Sequence, residues 1–457
     1  MQYTINPSCD DKIDMGKVLD LAEQLWNGDT DTYLNHPFAE PYEVEKISEG
    51  LWFNKGFSNT IIRETSEGLI IIDPAAQFDE AVRFKKVRSV TKQKVHSIIF
   101  THGHVDHGFG VKMYHRECKK KEWKKPQIIS HVNVPKRFDR YKETHGYNEF
   151  INHKQFLGGQ GQPYFPIEFI YPTKTFEDFF NLRVGEITVN LYHGKGETDD
   201  AIWAFFPEDE VLCTGDLFIW GVPNGGNPQK AQRYVKEWAE TLTNMAEMSP
   251  KILLPGHGVP IIGKKRVQEA LMSTTSYLTS IHSQTIQLMN EGLPLREIIS
   301  KIQVPEELTK KPYLQPIYDE PEFIVRNIWR LYGGWYDGEP ANLKPAPELE
   351  IANEITLISG GSERLSERAL NLMDIGKLKL ATHLISWALK SDPENEKVRK
   401  AYVKIFATRA KSETSTMAMA IYLSAIRKIG EDPGEELAGN TPIFVQKNVA
   451  EMKRKED

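Results

Sequence analysis

Apolar positions change period twice along the chain. In IDMGKVLDLAEQLW (13–26) they fall at helical spacing, and the proline-bearing NHPFAEPYEV (35–44) ends that pattern. From about residue 46 the period shortens. LWFNKG, NTIIRET, GLIIIDPAA and VHSIIFTHG are short, β-branched runs bounded by turn residues, which predicts strands between 51 and 103. DEAVRFKKVRSVTK, between the last two runs, reads as a helix, and strand–helix–strand order predicts layered α/β structure. Residues 111–181 are rich in Lys, Arg, Tyr and His. They read as helices plus an insertion, with a loop at LGGQGQPYFP (157–166). Strand runs return as EITVNLYHG, AIWAFFP, EVLCTGD and KILLPGHG between 186 and 258.

After Gly263 the runs become helical. RVQEALMSTTSYLTSIHSQTIQLMNEG carries a helical period with Gly292 as its stop. An aromatic-dense stretch, 321–343, leads through LKPAPE into about four amphipathic helices over 361–431, joined by SDPEN-type turns. The expected organisation is a helical leader (1–45), an α/β domain (46–265), an all-α helical domain (266–440) and a charged, frayed tail (441–457).

Composition narrows the class. Of 457 residues 40% are hydrophobic and 26% charged, ordinary globular usage that excludes a disordered chain or a coiled-coil rod. No apolar run reaches the roughly 18 residues that a membrane span needs, and the N-terminus shows no basic segment followed by an apolar core. With 57 basic and 63 acidic residues the net charge is −6, so nothing global attracts nucleic acid. The Lys-rich CKKKEWKK (118–125) reads as a solvated face. Cys9, Cys118 and Cys213 form no CxxC pair, which fits a reducing, cytoplasmic setting.

The chemistry concentrates in Thr101-His102-Gly103-His104-Val105-Asp106-His107-Gly108, directly after the apolar run VHSIIF. Three imidazoles and a carboxylate on one strand-end loop are what zinc-like divalent metals accept. Left unsatisfied, so many polar groups together would be expensive to desolvate. Three further strand ends offer partners: Glu197 in KGETDD, with His193 as its competitor; Asp216 in TGD, which could also be a cap or turn residue; and His257 in PGHG, which could also be a turn histidine. In layered α/β folds such ends converge on one crevice. His193, His131, Tyr192 and Lys195 are candidates for proton transfer or anion contact, more often structural than functional. Trp329, Tyr332, Trp335 and Tyr336 read as core or subunit interface before they read as a substrate wall.

THGHVDHG, with the later TGD and PGHG, resembles the signature of the metallo-β-lactamase superfamily of binuclear metal hydrolases. Most members place a histidine where KGET stands here. A glutamate at that position, HGVPIIG at 257–263 and FIVRNIWRLYGGWYDGEPANL at 323–343 make the chain similar to the alkylsulfatase branch and its dimerisation domain. The resemblance implies an αββα sandwich followed by an all-α helical domain. It implies two divalent ions, zinc by preference with Mn or Fe as alternatives. One would be held by His102, His104 and Glu197, the other by Asp106, His107 and His257, with Asp216 between them. Asp106 and Asp216 would serve the catalytic centre, and metal-activated water would cleave a sulfuric ester. A homodimer through the helical domain and a small-molecule substrate follow from the same resemblance.

Two departures bear on substrate. The branch carries a His-Asn pair and an Arg after its bridging carboxylate, whereas LFIWGVPNGGNPQKAQRY has no histidine. Asn227, Lys230 and Arg233 are the anion contacts this stretch can offer. Ending at 457, the sequence also holds no sterol-carrier-like domain. Hydrolysis of a lactone, thioester or β-lactam on the same metals is therefore the rival reading. A vestigial site on an interaction scaffold is the non-enzymatic one, against which stand seven ligand positions that all carry ligating side chains.

Overall fold

The computed structural model describes residues 16–157 and 165–432. The expectations for Cys9, for the leader up to residue 15, for 158–164 of the loop and for the tail 441–457 lie outside them.

Two mixed sheets face each other. The first runs in chain order through β1 (Val44–Ser48), β2 (Leu51–Asn54), β3 (Thr60–Thr65), β4 (Gly68–Ile72), β5 (Val95–Ile99), β6 (Gln127–His131) and β7 (Lys174–Phe176). Its first four strands form an antiparallel meander, and β4 to β7 are parallel. The second sheet holds β8 (Phe179–Val184), β9 (Ile187–His193), β10 (Ile202–Phe206), β11 (Val211–Ile219), β12 (Ile252–His257) and β13 (Ile261–Ile262). Only β11 and β12 pair in parallel there.

The continuous apolar run of β4 is explained by burial on both faces, as in parallel sheets generally. Ile70 and Ile72 enter the core between the sheets. Leu69 and Ile71 point outward onto Val87, Val111, Tyr114, Val134 and Phe138 of the helices Glu80–Val90, Val111–Lys121 and Asn133–Glu143. Across the second sheet lie Val235–Glu247 and Lys264–Asn290, which completes the αββα layering. No described helix is long and apolar enough to cross a membrane.

Five elements differ from the expectation. β6 (QIISH), β7 and β8 fall in or beside the stretch read as helices plus insertion; they are short and flanked by charged residues, so their period is barely sampled. The helix Lys17–Asn27 does not stand apart as a leader, because Val18, Leu19, Ala22 and Leu25 enter the core between the sheets. Likewise Lys264–Asn290, expected to open the helical domain, buries Val267, Leu271, Leu278 and Ile281 in that same core. Helical periodicity reveals an apolar stripe but not which neighbour covers it.

A separate core begins at Leu365. It is enclosed by Ser362–Asp374, Leu378–Ser391, Glu396–Lys411 and Thr416–Lys428, the four helices expected over 361–431, with Glu348–Ile358 packed ahead of them. Asn395 and Ser415 cap the last two by accepting backbone N–H bonds at their N-termini. A small cluster of Phe38, Tyr318 and Met417 joins this helical part to the sandwich.

Candidate metal centre and its cleft

The site is built where strands stop. β4 ends at Ile72, and Asp73 turns into the left-handed region (φ +53). Its carboxylate accepts from Thr101 N (2.8 Å) and Thr101 Oγ1 (2.6 Å) and meets His107 Nδ1 at 2.8 Å. One strand end thus orients the loop that leaves its parallel neighbour β5. His107 is then fixed with Nε2 facing inward, the arrangement that sets a ligating imidazole. His257, at the end of β12, donates Nδ1–H to Phe57 O (2.6 Å), which again leaves Nε2 free for the centre. The glycine of TGD has a direct cause: Gly215 lies at φ +51, and a Cβ there would sit 2.6 Å from the Thr101 side chain.

The seven expected ligand residues converge as two groups: His102, His104, Glu197 and Asp216, and Asp106, His107 and His257. His102 Nε2 lies 2.8 Å from His104 Nδ1 and 3.6 Å from Asp216 Oδ2, and His104 Nδ1 is 3.9 Å from Glu197 Oε2. Asp106 Oδ2 is 3.4 Å from both His107 Nε2 and His257 Nε2. Asp216 spans the groups, with Oδ1 3.3 Å from His107 Nε2 and Oδ2 3.3 Å from His257 Nε2.

Burial makes every charge in this cluster costly, and neighbours decide where charge stays. His102 and His104 are pushed down by burial, then by the neighbouring imidazole. Asp106 and Asp216, against the effect of burial, are held well below the usual carboxylate range by His107 and His257. Glu197 is pushed up to about 8, by burial and then by the charge of Asp216. The residues present fit a pair of divalent cations. His107 Nε2 and Asp216 Oδ1 are buried without a hydrogen-bond partner, and nitrogen and carboxylate oxygen are the donors such ions accept. Cations there favour carboxylates that are charged and imidazoles that are neutral, all at once.

Above the cluster opens a cleft of about 100 Å³. Phe38, Phe57, Phe78, Phe156, Phe165 and Tyr318 are among its aromatic lining residues. Asn152, Asn224, Asn227, Lys230 and Arg233 form its polar side. Asn227, Lys230 and Arg233, the weakest of the sequence expectations, therefore all face it. Arg233 Nη2 reaches Glu197 Oε1 at 3.3 Å, and Asn224 Nδ2 donates to the same oxygen. Lys230 Nζ donates to Asn152 Oδ1 at 2.6 Å, and burial, then Arg233, pushes its ammonium down to about 7.

His193, His131, Tyr192 and Lys195 are not among the cleft's lining residues. His131 and His193 stack on each other (centroids 4.0 Å), Tyr192 stacks on Trp203, and Lys195 lies over Tyr234. Tyr332 and Trp335 are 52% and 71% exposed, away from the cleft, so the aromatic run is no substrate wall.

Comparison with known proteins agrees with this geometry. The metallo-β-lactamase superfamily profile matches residues 54–257, and the alkyl sulfatase dimerisation profile matches 295–432. Residues 54–257 are thus similar to metallo-β-lactamase superfamily domains and residues 295–432 to alkyl sulfatase dimerisation domains. It is 24% identical over 365 residues to a linear primary-alkylsulfatase of Pseudomonas sp. (strain ATCC 19151), covering 75% of this chain and 68% of that protein. It is 25% identical over 382 residues to an alkyl/aryl-sulfatase of Saccharomyces cerevisiae, covering 78% of this chain and 59% of that one. The solved stereoselective inverting sec-alkylsulfatase Pisa1 from Pseudomonas sp. superposes with a TM-score of 0.78 at 20% identity, covering 90% of this chain and 70% of that one. The chain thus spans about three fifths to two thirds of its curated relatives.

Several residues at this site escape a reading of the sequence. Asp73 ends the strand run GLIIID, the same strand-end placement that marks Asp216, and this signal could have found it. Asp200 accepts from Gly103 N (3.2 Å) and Arg137 Nε (2.6 Å), bracing the HGH turn from a position three residues after Glu197. Asn224, Asn152 and Tyr318 carry no local signal.

Proposed function

We propose that the protein is a metal-dependent sulfuric ester hydrolase whose substrate is a small alkyl or aryl sulfate: ester and water in, alcohol and sulfate out. The observation that carries this reading is the cleft itself. Five of the seven metal-type ligands, His104, Asp106, Glu197, Asp216 and His257, line it together with Lys230, Arg233, Asn224, Asn227 and a set of aromatic rings. A cationic, amide-rich wall suits a sulfate head, and the rings suit an organic tail.

His102, His104 and Glu197 would hold one ion, Asp106, His107 and His257 a second, and Asp216 would lie between them. Zinc is preferred by family, and the three carboxylates also accommodate Mn or Fe. When bound, two such ions supply Lewis acidity that makes a nucleophile of water near neutral pH and stabilises negative charge on the ester. The residues do the rest. Asp73 and the Phe57 carbonyl hold His107 and His257 in one tautomer each. Arg233 orients Glu197. Lys230 and Arg233 draw the anionic ester to the cleft. The aromatic wall excludes water from the leaving side.

The helical part would pair two subunits, and the exposed Tyr332, Trp335, Leu357 and Ile358 supply apolar surface for that contact. Buried free thiols at Cys118 and Cys213 suit a reducing compartment.

Incubating the metal-loaded protein with alkyl and aryl sulfates of several sizes tests the reading by sulfate release. A panel of lactones, thioesters and β-lactams runs beside them, because a 217–233 stretch with no histidine favours that second chemistry. Turnover of the acyl panel without sulfate release would reverse the order of the two readings.

A further inference from the structure

Much of the polar lining of the cleft comes from one loop, and that loop is tied down at two places by one helix that follows the sheets in the chain. We propose that Asp319 and Asn327, at the start and middle of the helix Pro321–Gly333, are the positioning residues that set the substrate-binding loop 223–233 over the metal centre. The proposal deepens the function above, since it rests on that cleft taking an anionic ester.

Asp319 is fully buried, and its carboxylate accepts three backbone N–H bonds: Gly226 N at 2.6 Å, Asn227 N at 3.2 Å and Glu320 N at 2.7 Å. Two of the three belong to the loop. Burying a carboxylate is expensive, and holding backbone N–H groups is how that expense is offset. Gly226 shows how closely loop and helix lie: a Cβ there would fall 2.3 Å from the Phe323 backbone. At the other end Asn327 Nδ2 donates to Arg233 O (2.9 Å), and its Oδ1 accepts from Gln232 Nε2 (3.1 Å) and Arg233 N (3.3 Å). The loop so anchored delivers Asn224 and Arg233 to Glu197, and Lys230, between the two anchors, to Asn152.

The helix therefore acts through the loop on the polar lining of the cleft and on Glu197, the proposed ligand that Asn224 and Arg233 contact. Pro321–Gly333 lies inside the region matched by the alkyl sulfatase dimerisation profile, so that region also shapes the active site within its own chain.

The test compares the metal-loaded full chain with Asp319→Asn and Asn327→Ala. Bound metal per chain, deuterium uptake by segment, and kcat and KM for a hydrolysed sulfate ester are measured. Both variants are expected to keep their metal and to exchange faster over 223–233 alone. KM should rise about tenfold or more, with a smaller change in kcat, as expected for loss of charge-assisted hydrogen bonds that hold a binding loop. Unchanged exchange over 223–233 overturns the proposal. So does faster exchange across the whole chain with loss of metal, since that marks a general role in stability. Should Asp319→Asn fail to fold, Asn327→Ala reads the same property at the loop's other end. If the native chain releases no sulfate yet exchange still rises only over 223–233, the positioning role stands and the sulfate-ester function falls.

Discussion

The floor and the walls of the cleft are made in different ways. The floor is assembled at and near strand ends: His102 to His107 after β5, Glu197 beyond β9, His257 closing β12, and Asp216, which the sequence placed at a strand end, within β11, where Gly215 interrupts the register with β12. Parallel register places such ends side by side, so few additional contacts are needed to bring the ligands together. The walls come from Phe38, Phe78, Phe156, Lys230 and Tyr318, on loops and helix ends scattered from the first helix to the helical region. A centre that must position ions draws on the rigid sheets, and a surface that must recognise one organic group draws on the variable connections.

The sharpest break in this comparison is to remove a floor ligand. His257→Ala should cost roughly a thousandfold or more in kcat with fewer ions per chain by elemental analysis, because both groups of ligands meet at Asp106 and Asp216. An intact rate with intact metal would deny the floor its role. A smaller effect is expected one contact further out. Asp73→Ala frees His107 Nδ1 and should weaken metal affinity about 10- to 100-fold, a loss recovered at high metal concentration. If added metal restores nothing, Asp73 acts on the fold instead.

The wall is probed with less damage. Phe78 is 58% exposed at the mouth and meets Phe57 edge-on at 5.2 Å. Phe78→Ala should lower kcat/KM about 5- to 10-fold for bulky esters and leave the smallest ester unchanged, since it removes only apolar contact. Equal losses across sizes would show that Phe78 senses the head group and not the tail.

The smallest effect belongs to the joint beside Asp319. Burial, then Glu413 and Glu322, pushes the Glu320 carboxyl from 4.5 up to about 7. A carboxyl with a raised folded pKa holds its proton more tightly folded than unfolded, so stability is lost as pH climbs from 4.5 to about 7. Glu320→Gln cannot ionise, and its Tm should exceed that of the native chain above pH 7 and equal it near pH 4. A Tm difference that does not vary with pH would mean that packing, not charge, governs this position.

Legibility in the sequence follows the same division. THGHVDHG was readable because four ligating residues rarely crowd one strand-end loop unless a metal holds them, and TGD and PGHG repeat that placement. Asn227, Lys230 and Arg233 were readable only as the polar residues of a stretch that follows Asp216. Phe38, Phe156 and Tyr318 left no trace, since an aromatic residue in a loop looks the same whether it faces core, solvent or ligand.

Local pattern determined the order of most strands and helices, the layered class and the candidate residues that the structure brings together, because each depends on neighbours within a few residues. Tertiary structure alone decided that Lys17–Asn27 and Lys264–Asn290 share the sandwich core, that His131 and His193 pair with each other, and that Asp319 and Asn327 hydrogen-bond the loop lining the cleft. Those outcomes depend on which surfaces meet across long stretches of chain. Periodicity records that a surface is apolar or polar and holds no record of its partner.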